Sequence, residues 1–137
     1  MNTHVGVLSA EKNVEAIDVL FNKIDSLGGF FDFSFLSNKL NISEDDIKQE
    51  IKDGKLISIN RNGAELIPSF QFSAFKKLPY LEDVLLQMSD VDNISKTVFL
   101  ISDIDILDDY PAHILKKSPS EDAVNVILRK ASLLNSK

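Results

Sequence analysis

The sequence predicts a mainly α-helical protein with one β-hairpin, in which a winged helix-turn-helix-like module packs on a C-terminal helical bundle. Apolar residues recur at three- and four-residue spacing over most of the chain, as on the buried face of an amphipathic helix. The period changes to two on both sides of Asn62-Gly63, which indicates a hairpin. Two short helical patterns joined by Asn41-Ile42-Ser43 directly precede this hairpin, as in a helix-turn-helix.

Length and composition predict a small globular protein of one domain, or of two units that share a core. The chain has 137 residues, and we expect one unit over residues 1–75 and a second, helical unit over residues 76–137. The absence of cysteine excludes disulfides and thiol catalysis. The start of the chain has no basic segment followed by an apolar run, so we expect no secretory signal and a soluble, cytoplasmic protein.

The first part of the chain is expected to begin with a helix from Glu11 to Leu27, capped by Ser9 and ended by Gly28-Gly29. A short helix capped by Asp32 should follow and end near Leu40. Four phenylalanines surround that start, and core packing is the expected role for them, with an interface patch as the alternative: Phe30, Phe31, Phe33 and Phe35.

The next helix and the hairpin have strong local signals. Ser43 and Asp46 form a capping box, and Gly54 can end the helix. A two-residue turn at Asn62-Gly63 pairs Arg61 with Ala64, Ile59 with Leu66 and Ile57 with Pro68. Strict alternation then predicts one apolar face (Ile57, Ile59, Leu66, Pro68, Phe70, Phe72) and a second face (Ser58, Asn60, Glu65, Ile67, Ser69, Gln71). Because proline lacks an N–H, its strand is expected at a sheet edge.

The C-terminal part is expected to consist of four helices. Pro79 should be the first residue of one helix, and Asp92 or Asn93 should cap the next, which runs to about Ser102. That second helix should turn Ile94, Val98 and Ile101 inward. Pro111 begins a short helix to Lys117, and the segment Ser118-Pro119-Ser120-Glu121 begins the last one.

No pattern in the sequence predicts catalysis. His4 and His113 have no histidine or glutamate at helical spacing, so a paired-histidine metal site is not expected. Read as a calcium loop from Asp103, the acidic run places Asp108 where glycine is needed and Ile114 where glutamate is needed. No phosphate-binding or nucleophile motif occurs. We therefore expect a non-enzymatic protein with no metal and no cofactor.

The charge pattern weighs against DNA binding by the predicted helix-turn-helix. The net charge is −6, with 7 basic and 11 acidic residues in 1–75 and with 8 and 10 in 76–137. Three acids begin the helix that would enter the major groove, although several cations are usually needed to bind phosphates. We therefore expect the hairpin to join the first module to the C-terminal helices and not to bind DNA. DNA binding through Lys48, Lys52, Lys55 and Arg61 remains the alternative.

The chain also resembles known families. The segment SNKLNISEDDIKQEIKDGKLISINRNGAELIPSFQF resembles the helix-turn-helix and wing of excisionase-like proteins. Its continuation through LPYLEDVLLQM, VFLISDIDILDDYPAHIL and AVNVILRKA resembles bacterial antitoxins of the Xre/MbcA/ParS type, whose C-terminal domain binds RES-domain toxins. The chain departs from that family in having no tryptophan and in having Asp108, Asp109 and Tyr110 where a glycine and a basic residue usually stand.

The resemblance implies a protein-binding antitoxin of a toxin–antitoxin system, which neutralises a small toxin acting on NAD. It implies a homo-dimer or hetero-complex, and transcription regulation by operator binding is the second role it suggests. The expected partner-binding residues lie in the loop before Pro111, on the helix that follows it and on the last helix and tail: Leu107, Asp108, Asp109, Tyr110, His113, Arg129 and Lys137.

Overall fold

The computed structural model describes residues 16–135, and its first helix, α1, covers residues 16–26 of that range. The expected cap Ser9 and the expected start at Glu11 lie outside the described residues. The end of α1 is confirmed, because Gly28 and Gly29 have φ angles of 114° and 80° and the Gly29 N–H donates to the Ile24 carbonyl at 3.0 Å. A positive φ costs glycine little, so this pair stops the helix at low cost.

The helix-turn-helix has the expected outline. Strand β1 (Phe30–Phe31) leads into α2 (Phe33–Leu40), which is capped by Asp32, and α3 covers Glu44–Lys52. The capping box at the start of α3 is confirmed, since the Asp46 N–H donates to Ser43 Oγ at 3.0 Å and the Ser43 N–H donates to Asp46 Oδ2 at 3.4 Å.

The hairpin of β2 (Ile59–Arg61) and β3 (Ala64–Pro68) has the expected turn and register over three residue pairs. Ile59 lies opposite Leu66 and Arg61 opposite Ala64, and both Asn62 and Gly63 have positive φ. The edge position predicted for β3 is wrong, because β1 pairs with it on the other side and makes it the central strand. Pro68 is tolerated there since β2 begins at Ile59 and leaves the far end of β3 without a partner on that side.

The predicted alternation fails after Pro68. A 3₁₀ turn at Ser69–Gln71 replaces the strand, and a second hairpin follows, made of β4 (Phe72–Ser73) and β5 (Lys76–Lys77). The turn rotates Gln71 into the interior, where its side chain is completely buried. Its Oε1 accepts from the Ile57 N–H at 2.8 Å, while its Nε2 donates to the carbonyls of Ile57 (3.0 Å) and Pro68 (3.1 Å).

The three-stranded sheet separates two hydrophobic cores. The larger core joins α1, the β2 side of the sheet and the C-terminal helices, and its buried members include Ile24, Ile57, Ile59 and Phe70. The smaller core lies on the helix-turn-helix side and consists of Leu36, Ile47, Leu56 and Ile67, with half-buried residues around it that include Phe72. Ile67 thus lies on the face opposite Ile57 and Ile59, as the alternation predicts, whereas the prediction that Phe72 shares the face of Ile57 is wrong, because Phe72 packs on the smaller core.

Four helices complete the fold: α4 (Leu81–Gln87), α5 (Asn93–Leu100), α6 (Pro111–Lys116) and α7 (Glu121–Asn135). Pro111 begins α6 as expected, and Asp92 caps α5. Pro79 does not begin α4, because Tyr80 has a φ of 65° and the helix starts only after it. In α5 the side chain of Val98 is 44% exposed rather than inward, whereas Ile101, the residue directly after α5, is buried as expected. Ser120 Oγ accepts from the Ala123 N–H at 3.1 Å, so Ser120 caps α7.

An ion-pair network links the helix-turn-helix to the C-terminal helices. The Lys77 ammonium on β5 contacts the Glu50 carboxylate of α3 and lies 2.7 Å from the Glu82 carboxylate at the start of α4. The hydrogen bond from Lys77 keeps the pKa of Glu82 below its ordinary value. Asn93 adds a second link, since its side-chain amide donates to the Ser58 carbonyl at 2.9 Å.

Replacement of Lys96 by methionine is expected to stabilise the protein by about 1 kcal/mol at neutral pH, because an isosteric apolar side chain removes the cost of burying a charge. Lys96 is 7% exposed, and this burial lowers its pKa although Asp92 lies close enough to oppose the shift. A depressed lysine pKa means that the wild type gains stability as the pH rises towards the ordinary lysine pKa. Urea unfolding should give a larger free energy of unfolding at alkaline than at neutral pH for the wild type, and Lys96→Met should lack this increase.

Candidate functional site

The exposed surface of α3 is dominated by acids. Its first turn carries three exposed acids, Glu44, Asp45 and Asp46. The basic residues of the helix, Lys48 and Lys52, follow one and two turns later. The Lys48 ammonium lies 6.0 Å from the centroid of the Phe33 ring. A DNA backbone that approached the start of α3 would therefore meet negative charge at the position where this motif usually contacts base edges.

The expected DNA contact Arg61 is held by helix α1. Its guanidinium donates two hydrogen bonds to the Asp25 carboxylate, at 2.9 and 3.1 Å, and lies 5.0 and 5.2 Å from the ring centroids of Phe21 and Phe30. The hydrogen bonds from Arg61 lower the pKa of Asp25, so the pair stays charged near neutral pH. Of the four basic residues expected to contact DNA, the other three, Lys48, Lys52 and Lys55, are exposed and make no ion pair within residues 16–135.

The loop before α6 places three of the expected partner-binding side chains together. Asp109 Oδ2 lies 2.6 Å from His113 Nδ1, one helical turn later, and the rings of Tyr110 and His113 stack with centroids 5.3 Å apart. Asp109 Oδ1 also accepts from the Tyr110 N–H at 2.8 Å. We call Asp109, Tyr110 and His113 the loop cluster.

Ionisation of the loop cluster follows from these contacts. Partial burial would raise the pKa of Asp109, but the hydrogen bonds from His113 and from the Tyr110 N–H outweigh it and hold that pKa below its ordinary value. Burial and the neighbouring carboxylates Asp109 and Asp103 raise the pKa of Tyr110. At neutral pH the cluster therefore presents a carboxylate beside a neutral phenol.

The backbone that supports the loop cluster is held by a short bridge. The Ile104 N–H donates to the Asp109 carbonyl at 2.9 Å, and the Asp108 N–H donates to the Ile104 carbonyl at 2.8 Å. Asp108 has a φ of 53°, which turns the chain back at this point. The 3₁₀ turn Asp105–Leu107 lies inside this bridge and leaves the Ile106 side chain 74% exposed.

The other expected contact residues are distributed differently. Leu107 is half-buried and packs against the larger core, and Asp108 is exposed beside the loop cluster. Arg129 lies on α7, where it lines a groove rather than joining the loop cluster. Lys137 lies outside the described residues.

The groove is the structural feature that the sequence patterns did not reveal. It has a volume of about 940 Å³, and its walls are α7 on one side and α5 with the segment Ser102–Ile106 on the other. Its apolar lining includes Val98, Phe99, Ile106, Val126, Leu133 and Leu134. The sequence offered no signal for the groove, because the helical spacing predicted Val98 to lie inward, and only the structure shows that its side chain is exposed on α5.

The phenylalanine cluster is partly core and partly surface. Phe30, Phe31 and Phe33 are half-buried, whereas Phe35 is 41% exposed and contacts the ring of Phe75, which is 38% exposed. The Lys39 ammonium lies 5.5 Å from the centroids of both Phe35 and Phe75. Core packing, as expected, thus accounts for one side of the cluster, and the other side reaches the surface.

Between residues 16 and 135, no group of three or more histidine, aspartate or glutamate side chains is arranged to hold a metal ion. No helix in that part of the chain has the length and apolar character needed to cross a membrane.

Comparison with known proteins identifies the fold. The structure is similar to the NMR structure of Rv2175c, with a TM-score of 0.65 and 16% sequence identity over 77% of this chain and 80% of that chain. No family model matches the sequence, and no curated protein matches it either. The chain is thus mainly helical with small antiparallel sheets, and it has a fold like that of Rv2175c.

Proposed function

We propose that this protein is a non-enzymatic, antitoxin-like protein-binding module that neutralises a small toxin by direct binding. The loop cluster is the observation that carries the proposal. Asp109 is hydrogen-bonded to His113, Tyr110 stacks on His113, and the backbone beneath them is bridged from Ile104 to Asp109. Such an array lies near the surface with its side chains already ordered, so a partner would contact it with little further loss of conformational entropy.

The composition of the loop cluster suits a protein partner. Aromatic side chains held in one orientation contribute more than the average residue to the binding free energy of protein interfaces. A carboxylate beside them favours one orientation of the partner and makes the contact more specific. Asp108 adds a second negative charge, so the complementary surface of a partner would be basic. The family resemblance adds the expectation that this partner is a toxin of the RES-domain type.

Transcription regulation through DNA is the second candidate, and the shape of α2, α3 and the β2–β3 hairpin favours it. The charges oppose it, because three acids begin α3 and Arg61 is bonded to Asp25. Lys48, Lys52 and Lys55 would then have to supply most of the phosphate contacts. Such binding would be weak at physiological salt and would fall steeply as salt is added.

A pull-down from bacterial lysate tests the two candidates together. Tagged wild type is expected to retain a small protein in stoichiometric amount after nuclease treatment and in high salt. Expression of that protein alone should arrest growth, and co-expression of the wild type should restore it. Recovery of nucleic acid that is lost in high salt, with no retained protein, would instead support the regulator and contradict the antitoxin.

The double substitution Asp109→Lys and Tyr110→Ala is expected to weaken the complex by at least about 2 kcal/mol, or roughly thirtyfold in Kd, because it removes the stacked ring and reverses the charge. Isothermal titration with the retained protein measures this. The pair Tyr80→Ala and Asp83→Lys makes the same changes at exposed positions near the start of α4 and should leave Kd unchanged. Equal affinity for both double variants would mean that the loop cluster is not the contact.

A further inference from the structure

The groove between α5 and α7 has exposed apolar side chains on both of its walls. Val98 and Ile106 are 44% and 74% exposed on one wall, and Leu133 of α7 is 55% exposed on the other. Exposed apolar side chains gathered at one concave place are typical of interaction surfaces. A concave surface of this kind is filled by a convex, elongated partner.

Each wall of the groove also carries charges of one sign. Asp103 and Asp105 make the wall that follows α5 acidic, and Arg129 and Lys130 make the wall formed by α7 basic. All four side chains are exposed, and none of them takes part in an ion pair within residues 16–135. A complementary occupant is therefore apolar along its middle, basic along the edge that meets the acidic wall and acidic along the edge that meets the basic wall.

We infer that the groove binds an amphipathic α-helix of a partner protein, whose basic flank faces the acidic wall and whose acidic flank faces the basic wall. A helix with its side chains is a cylinder about 10–12 Å across, so it is convex and elongated as the groove requires. Apolar residues at three- and four-residue spacing form one stripe along such a helix, and the residues beside the stripe form its two flanks.

The groove and the loop cluster form one continuous surface. Ile104 lines the groove, and its N–H donates to the Asp109 carbonyl of the loop cluster at 2.9 Å. Burial raises the pKa of Tyr110, and the nearby carboxylates of Asp109 and Asp103 add to that rise. A protein whose helix lies in the groove therefore reaches the loop cluster with an adjoining segment. The identity of that protein as a toxin rests on the proposed function.

Designed peptides test the groove directly on the full chain. The probes are three stapled helices of about 14 residues, or roughly 21 Å, with one leucine stripe in common. One has a basic and an acidic flank, one has two basic flanks and one has two acidic flanks. Exchange of the flanks is not a control, because a helix bound in the opposite direction restores the match. Fluorescence anisotropy should give the mixed peptide a Kd at least about tenfold below those of the other two.

Charge reversal of one wall should change which peptide binds best. Asp103→Lys with Asp105→Lys makes both walls basic, so the peptide with two acidic flanks should bind best. Arg129→Glu with Lys130→Glu makes both walls acidic, so the peptide with two basic flanks should bind best. The first variant keeps a negative net charge, so the overall field of the protein does not explain its expected preference for the acidic peptide.

Two control variants lie outside the groove. Asp18→Lys with Asp83→Lys makes the same change of net charge at exposed positions and should leave the mixed peptide preferred. Ile106→Glu should weaken binding of the mixed peptide at least about tenfold, because it places a charge against the leucine stripe. Leu86→Glu, at a 68% exposed position on α4, should leave that Kd unchanged. Circular dichroism confirms that each variant is folded.

Equal affinity for the three peptides, or an unchanged order of preference in both charge variants, would overturn the inference. A wild-type dimer that Ile106→Glu dissociates in sedimentation velocity would do the same, because a second copy would then occupy the groove. The proposed function is tested separately. If the peptides bind as expected but lysate yields no toxin, the antitoxin proposal alone fails. If a toxin is retained and Ile106→Glu leaves its Kd unchanged, the groove inference alone fails.

Discussion

Replacement of Gln71 by methionine is expected to lower the free energy of unfolding by about 4 kcal/mol, since it leaves three buried polar groups without partners at once. Methionine has nearly the size and flexibility of glutamine, so the side chain still fills its site. The Ile57 N–H loses its acceptor, and the carbonyls of Ile57 and Pro68 lose their donor. Urea unfolding followed by circular dichroism measures the loss.

The control for this change is Gln87→Met, because Gln87 is exposed at the end of α4. We expect that variant to stay within about 0.5 kcal/mol of the wild type, as surface substitutions usually do. A loss below about 1 kcal/mol for Gln71→Met would show that water or a shift of the chain satisfies the three groups. The side chain of Gln71 would then not be what holds Ile57 to the 3₁₀ turn.

Replacement of Ile67 by alanine is expected to lower the free energy of unfolding by about 3 kcal/mol, because it opens a cavity in a core that has few other members. Ile67 is completely buried and packs with Leu36, Ile47 and Leu56 between the sheet and the helix-turn-helix. So small a core has little capacity to collapse around the space. Thermal and urea unfolding both give the loss.

Val19→Ala provides the comparison at a 67% exposed position on α1, where the same kind of truncation should change stability by less than about 0.5 kcal/mol. Hydrogen exchange adds a local measurement, since amides in α2 and α3 should lose protection more than those in α7. Equal stability of Ile67→Ala and wild type would contradict the assignment of Ile67 to the smaller core.

Local signals predicted the elements that local interactions fix. The capping box Ser43–Asp46 and the turn Asn62-Gly63 each act over four residues or fewer, and the structure has both where they were expected. The hairpin register followed from the turn, because a two-residue loop permits one pairing. The start of α4 was missed by two residues, since Tyr80 adopts a positive φ that few tyrosines adopt.

Long-range contacts set the features that the sequence did not reveal. Gln71 was placed on the face opposite Ile57 because alternation was continued through Ser69–Gln71, where the chain instead makes a 3₁₀ turn and the Gln71 side chain bonds to the Ile57 backbone. The third strand β1 was missed since two residues give no periodic pattern. In the candidate site, the residues of the loop cluster are close in sequence and could be grouped, whereas the groove requires the placement of α5 against α7.

The position of the sheet between two cores limits how the chain could be recombined in evolution. Ile57 and Ile59 serve the core that includes α5, α6 and α7, and Ile67, on the neighbouring strand β3, serves the core of the helix-turn-helix. Separation of the chain after residue 75 would expose apolar surface on both parts. The helix-turn-helix and the helical part could therefore not be exchanged as independent domains. A change of partner would have to arise by substitutions on the existing surface.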